Sequence, residues 1–408
     1  MRILHPPLTA LLALALLLLA PSAARAQLGE PDPWEKARVR IGPIAFTPTV
    51  SLRQLGWDTN VFNTADNKLK DFAVTPAGTI DWWMRLGRAR LNGKDDFSYA
   101  YWATYKTQGG FNQSHSLNFE VPLSRFKPYI GGSYLNTNDR VGYEIDARAR
   151  HTETAGQGGV VTRLTGRTSV DLYGRYVQFR YTGDETFLGS TLAEQFNKKV
   201  TAAGATLRYS LTPLTTLTLN GDWSDERYDQ TTTRDNTSFR IVPGVSFKPA
   251  ALLNGSATVG YRKLNMLNIN IPDFSGVVAS VDLSYVLLGR TRFGLNVGRD
   301  ILFSFETLQP YYLQTSVGGS IRFGLGRGFD IEARGYTANL DYQTSTKADS
   351  LLKGRVDKII SYGGGVGYKL TDGSRIAFYV DEYQRTSPTL SFRGYNGLRY
   401  GFAITYGL

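Results

Sequence analysis

The residues best suited to chemistry in this 408-residue chain are two histidines outside the N-terminal segment, His115 and His151. A histidine that acts as a general base needs a nucleophile or a carboxylate within hydrogen-bond reach. Ser114, Ser116 and Glu153 are close in the sequence, but immediate neighbours on an extended strand point to opposite faces. We therefore interpret both histidines as polar residues near an extracellular rim, and we expect no catalytic residues.

One pair of adjacent carboxylates, Asp95 and Asp96, lies inside an extended segment. Such a pair could bind a cation or serve in acid–base chemistry, but the simpler interpretation is one lumenal acid beside one near a rim. The run from Gly363 to Gly367 is rich in glycine like a phosphate loop, yet no Lys-Ser/Thr follows it. With no nucleotide fingerprint and no clustered metal ligands in the sequence, we expect neither cofactor nor metal.

A larger set of charged residues recurs at every second position, opposite apolar side chains. In one segment Val281, Leu283 and Tyr285 alternate with Asp282 and Ser284. Period-two alternation indicates a strand with one apolar and one polar face. The arginines and aspartates predicted to line a lumen in this way are Arg175, Arg208, Arg240, Arg262, Arg292, Arg322, Arg375, Asp171, Asp222, Asp282 and Asp381.

Two interpretations of this polar face stay open. An excess of arginine favours anions in a channel, so the face could select anionic solutes. Alternatively, the arginines and aspartates could form a ladder of ion pairs that braces the wall. Both interpretations require strands that are long enough to position the charges.

The elements that would carry these residues are about eighteen long strands, from residues 44–55 to residues 397–408. Short turns with Gly, Pro or Asp alternate with longer polar connections, as in paired hairpins. Strands of about ten residues suit a tilted passage through a membrane, and an even number returns both termini to one side. In lipid such strands must close. We therefore predict an all-β, transmembrane, antiparallel up-and-down β-barrel over residues 44–408, whose lumen an inward loop could narrow or plug.

The N-terminal segment has the layout of a secretory signal peptide. Arg2 and His5 precede an apolar run from Leu8 to Ala20, and Ala24-Arg25-Ala26 follows it. We predict cleavage after Ala26 and a periplasmic lead over residues 27–43; the alternative is an uncleaved anchor. The formal charge of +11 would fall to +9 with the loss of two arginines. For an exported basic chain, lipopolysaccharide, outer-membrane lipid or anionic solutes are better partners than nucleic acid.

The last strand places five apolar or aromatic residues on one face: Tyr400, Phe402, Ile404, Tyr406 and Leu408. We predict that it pairs with the first strand near residues 46–55 and that the barrel-assembly machinery reads it. Outer-membrane barrels usually end on an aromatic residue, whereas this chain ends on leucine.

The mature chain resembles an outer-membrane β-barrel porin family whose members often accompany exopolysaccharide secretion genes. The resemblance rests on Pro48–Leu52 leading into Trp57–Phe62, on Arg240–Val245 and on Tyr362–Tyr368. It implies a channel in the outer membrane of a Gram-negative bacterium, with polysaccharide-secretion components as possible partners. The leading hypothesis is passage of small anionic solutes. The alternatives are an export conduit for an anionic exopolysaccharide, a surface barrel enzyme and a structural barrel.

Overall fold

The computed structural model describes Trp34 and residues 37–249, 251–348, 350–370 and 374–407. The predicted signal peptide, its cleavage after Ala26 and the terminal Leu408 lie outside these residues. In the described part of the predicted lead, Val39–Ile41 folds back on the first long strand, with Val39 opposite Phe46.

The described residues form eighteen long antiparallel strands, and the predicted barrel is confirmed. In chain order they are β1 (Ile44–Asp58), β2 (Asp71–Leu86), β3 (Ala89–Trp102), β4 (Gly110–Glu120), β5 (Phe126–Thr137), β6 (His151–Arg163), β7 (Thr168–Tyr181), β8 (Lys198–Ser210), β9 (Thr215–Tyr228), β10 (Asn236–Phe247), β11 (Leu253–Met266), β12 (Phe274–Leu287), β13 (Thr291–Phe303), β14 (Tyr311–Gly326), β15 (Phe329–Gln343), β16 (Val356–Lys369), β17 (Arg375–Thr386) and β18 (Tyr395–Tyr406).

Each strand pairs with the next, and β18 pairs with β1 to close the barrel. Val50 lies opposite Tyr406, and Asp58 lies opposite Arg399, so the seam lies further along β1 than the predicted residues 46–55. A β-bulge interrupts β1 between Leu52 and Leu55. A bulge inserts an extra residue and re-aims the side chains around it, and Arg53 at this bulge reaches into the lumen to Asp96. Closure gives every strand two hydrogen-bonded neighbours, as lipid requires.

The connections differ at the two ends of the barrel. One end, the short-turn end, carries tight turns such as Leu288-Gly289, whose positive φ angles of 51° and 66° suit a type I′ hairpin. The other end, the loop end, carries nine longer loops among the described residues: L1 (59–70), L2 (103–109), L3 (138–150), L4 (182–197), L5 (229–235), L6 (267–273), L7 (304–310), L8 (344–355) and L9 (387–394).

Between β1 and β18, the helical structure of the described residues lies in the loops. L4 holds a one-turn helix, Leu192–Phe196, and a two-residue hairpin in which Thr186 and Phe187 pair with Thr191 and Ser190. Short 3-10 turns lie in L2, L5, L8 and L9. Within the described residues, no helix is long and apolar enough to cross a membrane.

The two faces of the wall differ as the alternation predicts. Large apolar side chains such as Val317, Ile321 and Ile331 are exposed on the outer face. Their neighbours on the same strands, including Arg322 and Glu332, form ion pairs on the inner face. The position of L3 identifies the inner face, because the wall residues that L3 contacts must point into the lumen.

Candidate functional site

L3 lies inside the barrel and crosses it. The loop leaves β5 and returns to β6, yet Tyr143 in its middle stacks on Tyr336 of β15, with the ring centroids 6.0 Å apart. Glu144, the next residue, contacts L7 and β15. Sequence alone leaves open whether a loop folds inward; the structure shows that L3 does, and it divides the lumen.

Glu144 is the main anchor of L3. Its carboxylate accepts hydrogen bonds from the Ser304 hydroxyl at 2.8 Å, from the Phe305 N–H at 3.2 Å and from the Tyr342 hydroxyl. The guanidinium groups of Arg393 and Arg385 lie 3.5 and 3.6 Å from Oε2, the oxygen that also accepts from Tyr342. Burial by itself would raise the pKa of Glu144, but Arg393 and Arg385 together with the hydroxyl donors outweigh it and lower that pKa below its ordinary value. Glu144 is therefore held as a charged carboxylate.

Asp146 binds the same wall two residues later. It accepts hydrogen bonds from Arg385 at 2.8 Å and from the Tyr395 hydroxyl at 3.0 Å. Burial raises the pKa of Asp146 to about 6, against the opposing pull of Arg385 and Arg393. One loop thus carries two buried acids whose pKa values move in opposite directions, because Glu144 has more donors.

Arg385 connects L3 to a buried network in the wall. Its guanidinium binds Asp357 at 2.7 Å as well as Asp146. Asp357 also accepts hydrogen bonds from Arg355 at 2.7 Å and from Ser387 at 2.7 Å. Asp357 holds Arg355 and Arg385 in one arrangement through these hydrogen bonds, so the loop is docked on a well-connected part of β16 and β17.

The two ends of L3 contact L1 and β3. Arg140 and Arg148 both donate to the Val61 carbonyl of L1, at 2.6 and 3.2 Å. Arg148 also lies 4.5 Å above the ring of Trp102. Burial lowers the pKa of Arg148 to about 9, and Arg140 and Arg399 add to the effect. L3 is therefore held by L1 and β3 as well as by L7 and the wall from β15 to β18.

Of the cavities that border L3, two differ in the charge of their lining. The first, called the basic cavity, has a volume of about 450 Å³. Within the described chain, its charged lining comprises two acids, Asp139 and Glu332, and six arginines: Arg53, Arg148, Arg322, Arg334, Arg375 and Arg399.

The second cavity, called the mixed cavity, has a volume of about 660 Å³ and lies against β6–β14. Its charged lining is balanced among the described residues: Arg175, Lys198, Arg240 and Arg262 against Glu144, Glu153, Asp222 and Glu226. The apolar lining includes Phe179, Phe196, Leu302 and Phe303.

A family model described as "Putative beta-barrel porin 2" matches residues 129–403, about two thirds of the chain. The chain belongs to this porin family. No curated protein matches the porin significantly.

Several solved structures are similar to this porin in fold. A BenF-like porin from Pseudomonas fluorescens Pf-5 has a TM-score of 0.48 at 12% identity, over 89% of this chain and 98% of that chain. OccAB3 of Acinetobacter baumannii has a TM-score of 0.48 at 10% identity, over 88% and 98%. OccK2 (OpdF) of Pseudomonas aeruginosa, crystallised with glucuronate, has a TM-score of 0.47 at 10% identity, over 88% and 95%. The family match and the closed eighteen-stranded barrel of this chain together indicate an outer-membrane porin.

Most of the lumenal residues predicted from the sequence lie in ion pairs between strands of the porin. The pairs are Arg208–Asp171 at 3.0 Å, Arg240–Asp222 at 3.1 Å, Arg262–Asp300 at 2.6 Å, Arg322–Glu332 at 2.6 Å, Arg375–Asp330 at 2.6 Å and Arg334–Asp381. Asp282 instead accepts a hydrogen bond from Asn296 at 2.8 Å. Among the described residues, Arg175 and Arg292 have no acidic partner.

Arg53, Arg334 and Arg399 of the basic cavity were missing from the predicted set. Alternation would have found Arg334, which lies between Ala333 and Gly335 on a strand whose outer face shows Ile331. Arg53 lies at the bulge, which sequence does not reveal. The contribution of L3 had one visible signal, the dense alternation of acids and bases in residues 139–150.

The two histidines lie in different environments. His151 is buried at the start of β6, where it stacks on Phe179 at 5.2 Å. His115 does not lie at a rim: it is the sixth residue of β4 and is on the outer face beside Asp95. Asp95 is also on the outer face rather than near the periplasmic rim, while Asp96 points inward. The prediction placed these residues too close to the ends because strand length was the only guide to depth.

Proposed function

We propose that this porin conducts small anionic solutes across the outer membrane, and that the basic cavity beside L3 selects them. The proposal rests on one observation, the unequal exposure of the partners in the lumenal ion pairs. The Arg334 side chain is 41% exposed and its partner Asp381 is 21% exposed. Arg399 is 37% exposed and Asp58 is fully buried.

The same order recurs around the lumen. The arginine is also the more exposed partner in five further pairs: Arg53–Asp96, Arg208–Asp171, Arg240–Asp222, Arg322–Glu332 and Arg375–Asp330. In Arg262–Asp300 the aspartate is the more exposed partner. The carboxylates thus lie deeper in the wall and balance the charge of the arginines, while the guanidinium groups are exposed to the solute. A pair of this kind braces the barrel and also offers donors to an anion, so the two interpretations of the polar face are compatible.

Ion selectivity in planar bilayers tests the proposal. The reversal potential of the purified porin under a KCl gradient should give a chloride-to-potassium permeability ratio above one. In Arg53→Gln/Arg334→Gln each altered pair loses its cation and keeps its carboxylate, so the ratio should fall below one. Lys263→Gln removes the same type of charge from an exposed outer position of β11 and should leave the ratio unchanged. A cation-selective wild type, or a double variant with wild-type selectivity, would contradict the proposal.

Export of an anionic exopolysaccharide is the second candidate, because a polymer would meet the same exposed arginines. L3 crosses the lumen and is anchored by Glu144 and Asp146, so a chain could pass only after the loop undocks. If this porin exports polymer, its deletion should leave polymer in the periplasm. Unchanged secretion in the deletion strain would remove this candidate.

A further inference from the structure

The outer face of the barrel carries an ionisable pair half-way along β3 and β4. His115 Nδ1 lies 2.7 Å from Asp95 Oδ1, and both side chains are partly exposed. Trp82 donates its indole N–H to the other oxygen of Asp95 at 2.9 Å. Phe97 packs edge-to-face on the imidazole at 5.2 Å. This cluster points away from the lumen, since Asp96 is the residue that reaches Arg53 inside.

The pair lies at the depth where lipid chains would cover it. Asp95 is six residues from the start of β3, and His115 is five residues from the end of β4. With a rise of ~3.3 Å per residue and a tilt of ~40°, these positions are roughly 13–15 Å from the short-turn end. The apolar band of such barrels is about 25 Å tall. Ionisable side chains at this depth are costly in lipid and point to a protein partner.

The outer face of β6, two strands from His115, consists of small side chains, while Tyr134 on the intervening β5 stacks on His115. The outer positions of β6 are Thr152, Thr154, Gly156, Gly158, Val160 and Thr162. The outer positions of β12 are Ser275, Val277, Ala279, Val281, Leu283, Tyr285 and Leu287. On β5 and β7 the outer glycines are Gly132 and Gly174.

Nothing within the chain requires glycine at these places. A Cβ on Gly156 would have open space around it, and a Cβ on Gly158 or Gly174 would meet its first neighbour at 3.7 or 4.0 Å, an ordinary contact. None of the three has a positive φ. The lumenal glycines Gly159 and Gly204 differ, because tyrosine rings cover them. The outer glycines leave a shallow groove that a large side chain could fill from outside.

The ionisable pair and the groove are related by position. His115 is five residues from the short-turn end of β4, and Gly158 is five residues from the short-turn end of β6. Asp95 is six residues from the short-turn end of β3, and Gly174 is six residues from that of β7. A two-fold axis along the membrane normal preserves depth, so an axis beside β5 would bring His115 of one copy against Gly158 of the other, and Asp95 against Gly174.

We propose that the outer face of β3–β7 is a dimer interface, occupied by a second copy of this chain. The face is self-complementary, as an isologous contact requires: the bulky polar half on β3 and β4 fits the glycine half on β6 and β7. Small residues let membrane-embedded backbones approach closely. Four strand spacings of ~4.8 Å and ~26 Å of strand length give a flat area of roughly 500 Å² per subunit. The dimer covers His115 and Asp95 with protein in place of lipid.

Mass measurement in detergent tests the interface directly. Light scattering of the purified full-length porin should give twice the chain mass. Gly158→Leu fills the groove and should give a monomer. Gly335→Leu is the matched control, because Gly335 is also an outer glycine with open space around its Cβ but lies on β15, beside Ile331. Heat-modifiable migration on gels shows whether each variant is folded.

Disulfide trapping supplies a second measurement in the native membrane. The chain contains no cysteine, and β5 separates His115 from Gly158 within one barrel. His115→Cys/Gly158→Cys should therefore form disulfide-linked dimers after oxidation, whereas His115→Cys/Gly335→Cys should stay monomeric. A monomeric wild type without cross-linking, a Gly158→Leu variant that stays dimeric, or a stable complex with a different protein on this face would each overturn the proposal. Ion selectivity is measured separately, so it can fail or hold independently of the dimer.

Discussion

The docking of L3 depends most on Glu144, and Glu144→Ala should release the loop. The substitution removes the acceptor for Ser304, Phe305 and Tyr342 and leaves Arg393 and Arg385 with Asp146 alone as an acidic partner in the loop. Removing one member of a buried ion pair costs about 3–5 kcal/mol. At about 1.4 kcal/mol per factor of ten, the docking equilibrium should shift by roughly two to three and a half powers of ten toward the undocked loop.

Single-channel recording should detect this shift. With L3 undocked the two cavities merge into a wider path, so the open conductance should rise and the current should show transitions between two levels. Glu153→Gln is the matched control, because Glu153 also lines the mixed cavity and has no arginine within ion-pair distance among the described residues. The barrel wall keeps its own hydrogen bonds, so heat-modifiability should be retained. Wild-type conductance and a quiet current from folded Glu144→Ala would refute the idea that this carboxylate holds the loop.

Two further outcomes follow from the lumen and the seam. Because the pKa of Asp146 is raised to about 6, acidification from pH 7.5 to pH 5 should neutralise Asp146 and favour the docked state. The pKa of Glu144 is lowered, so Glu144 should stay charged over the same pH range. Chloride preference should therefore rise on acidification in the wild type, and Asp146→Asn should show no such rise in reversal-potential measurements. Replacing Tyr406 and Leu408 with Asp should block assembly, measured as loss of heat-modifiable barrel from the outer membrane, and normal assembly would show that the last strand is not the signal.

The strands could be predicted because period-two alternation and hairpin turns are local properties of the sequence. The sequence predicts strands over residues 151–163, 168–181 and 198–210, and these are the bounds of β6, β7 and β8. The inner and outer faces could be predicted from the same alternation, which puts the side chains of Arg208 and Leu207 on different faces of β8. Local pattern fails at β1, where the bulge at Arg53 breaks the alternation.

The site itself depends on contacts that no local pattern encodes. Glu144 meets Ser304 across 160 residues and Arg393 across 249 residues. The sequence of residues 138–150 does not show whether their acids form ion pairs with arginines in the lumen or are exposed to solvent outside the barrel. The depth of His115 and Asp95 was missed for a related reason, since depth is set by the whole hairpin rather than by the residues themselves.

The recessed carboxylates change the reach of the electric field in the lumen. A guanidinium backed by an acid is a dipole rather than a free charge, and the field of a dipole falls off faster with distance than that of an ion. Wall dipoles of this kind would attract an anion only after it is within a few ångströms of the arginine, well inside the Debye length of about 8 Å at physiological salt. Entry of solutes would then depend little on ionic strength, and discrimination would take place in the basic cavity beside L3 rather than at the mouth.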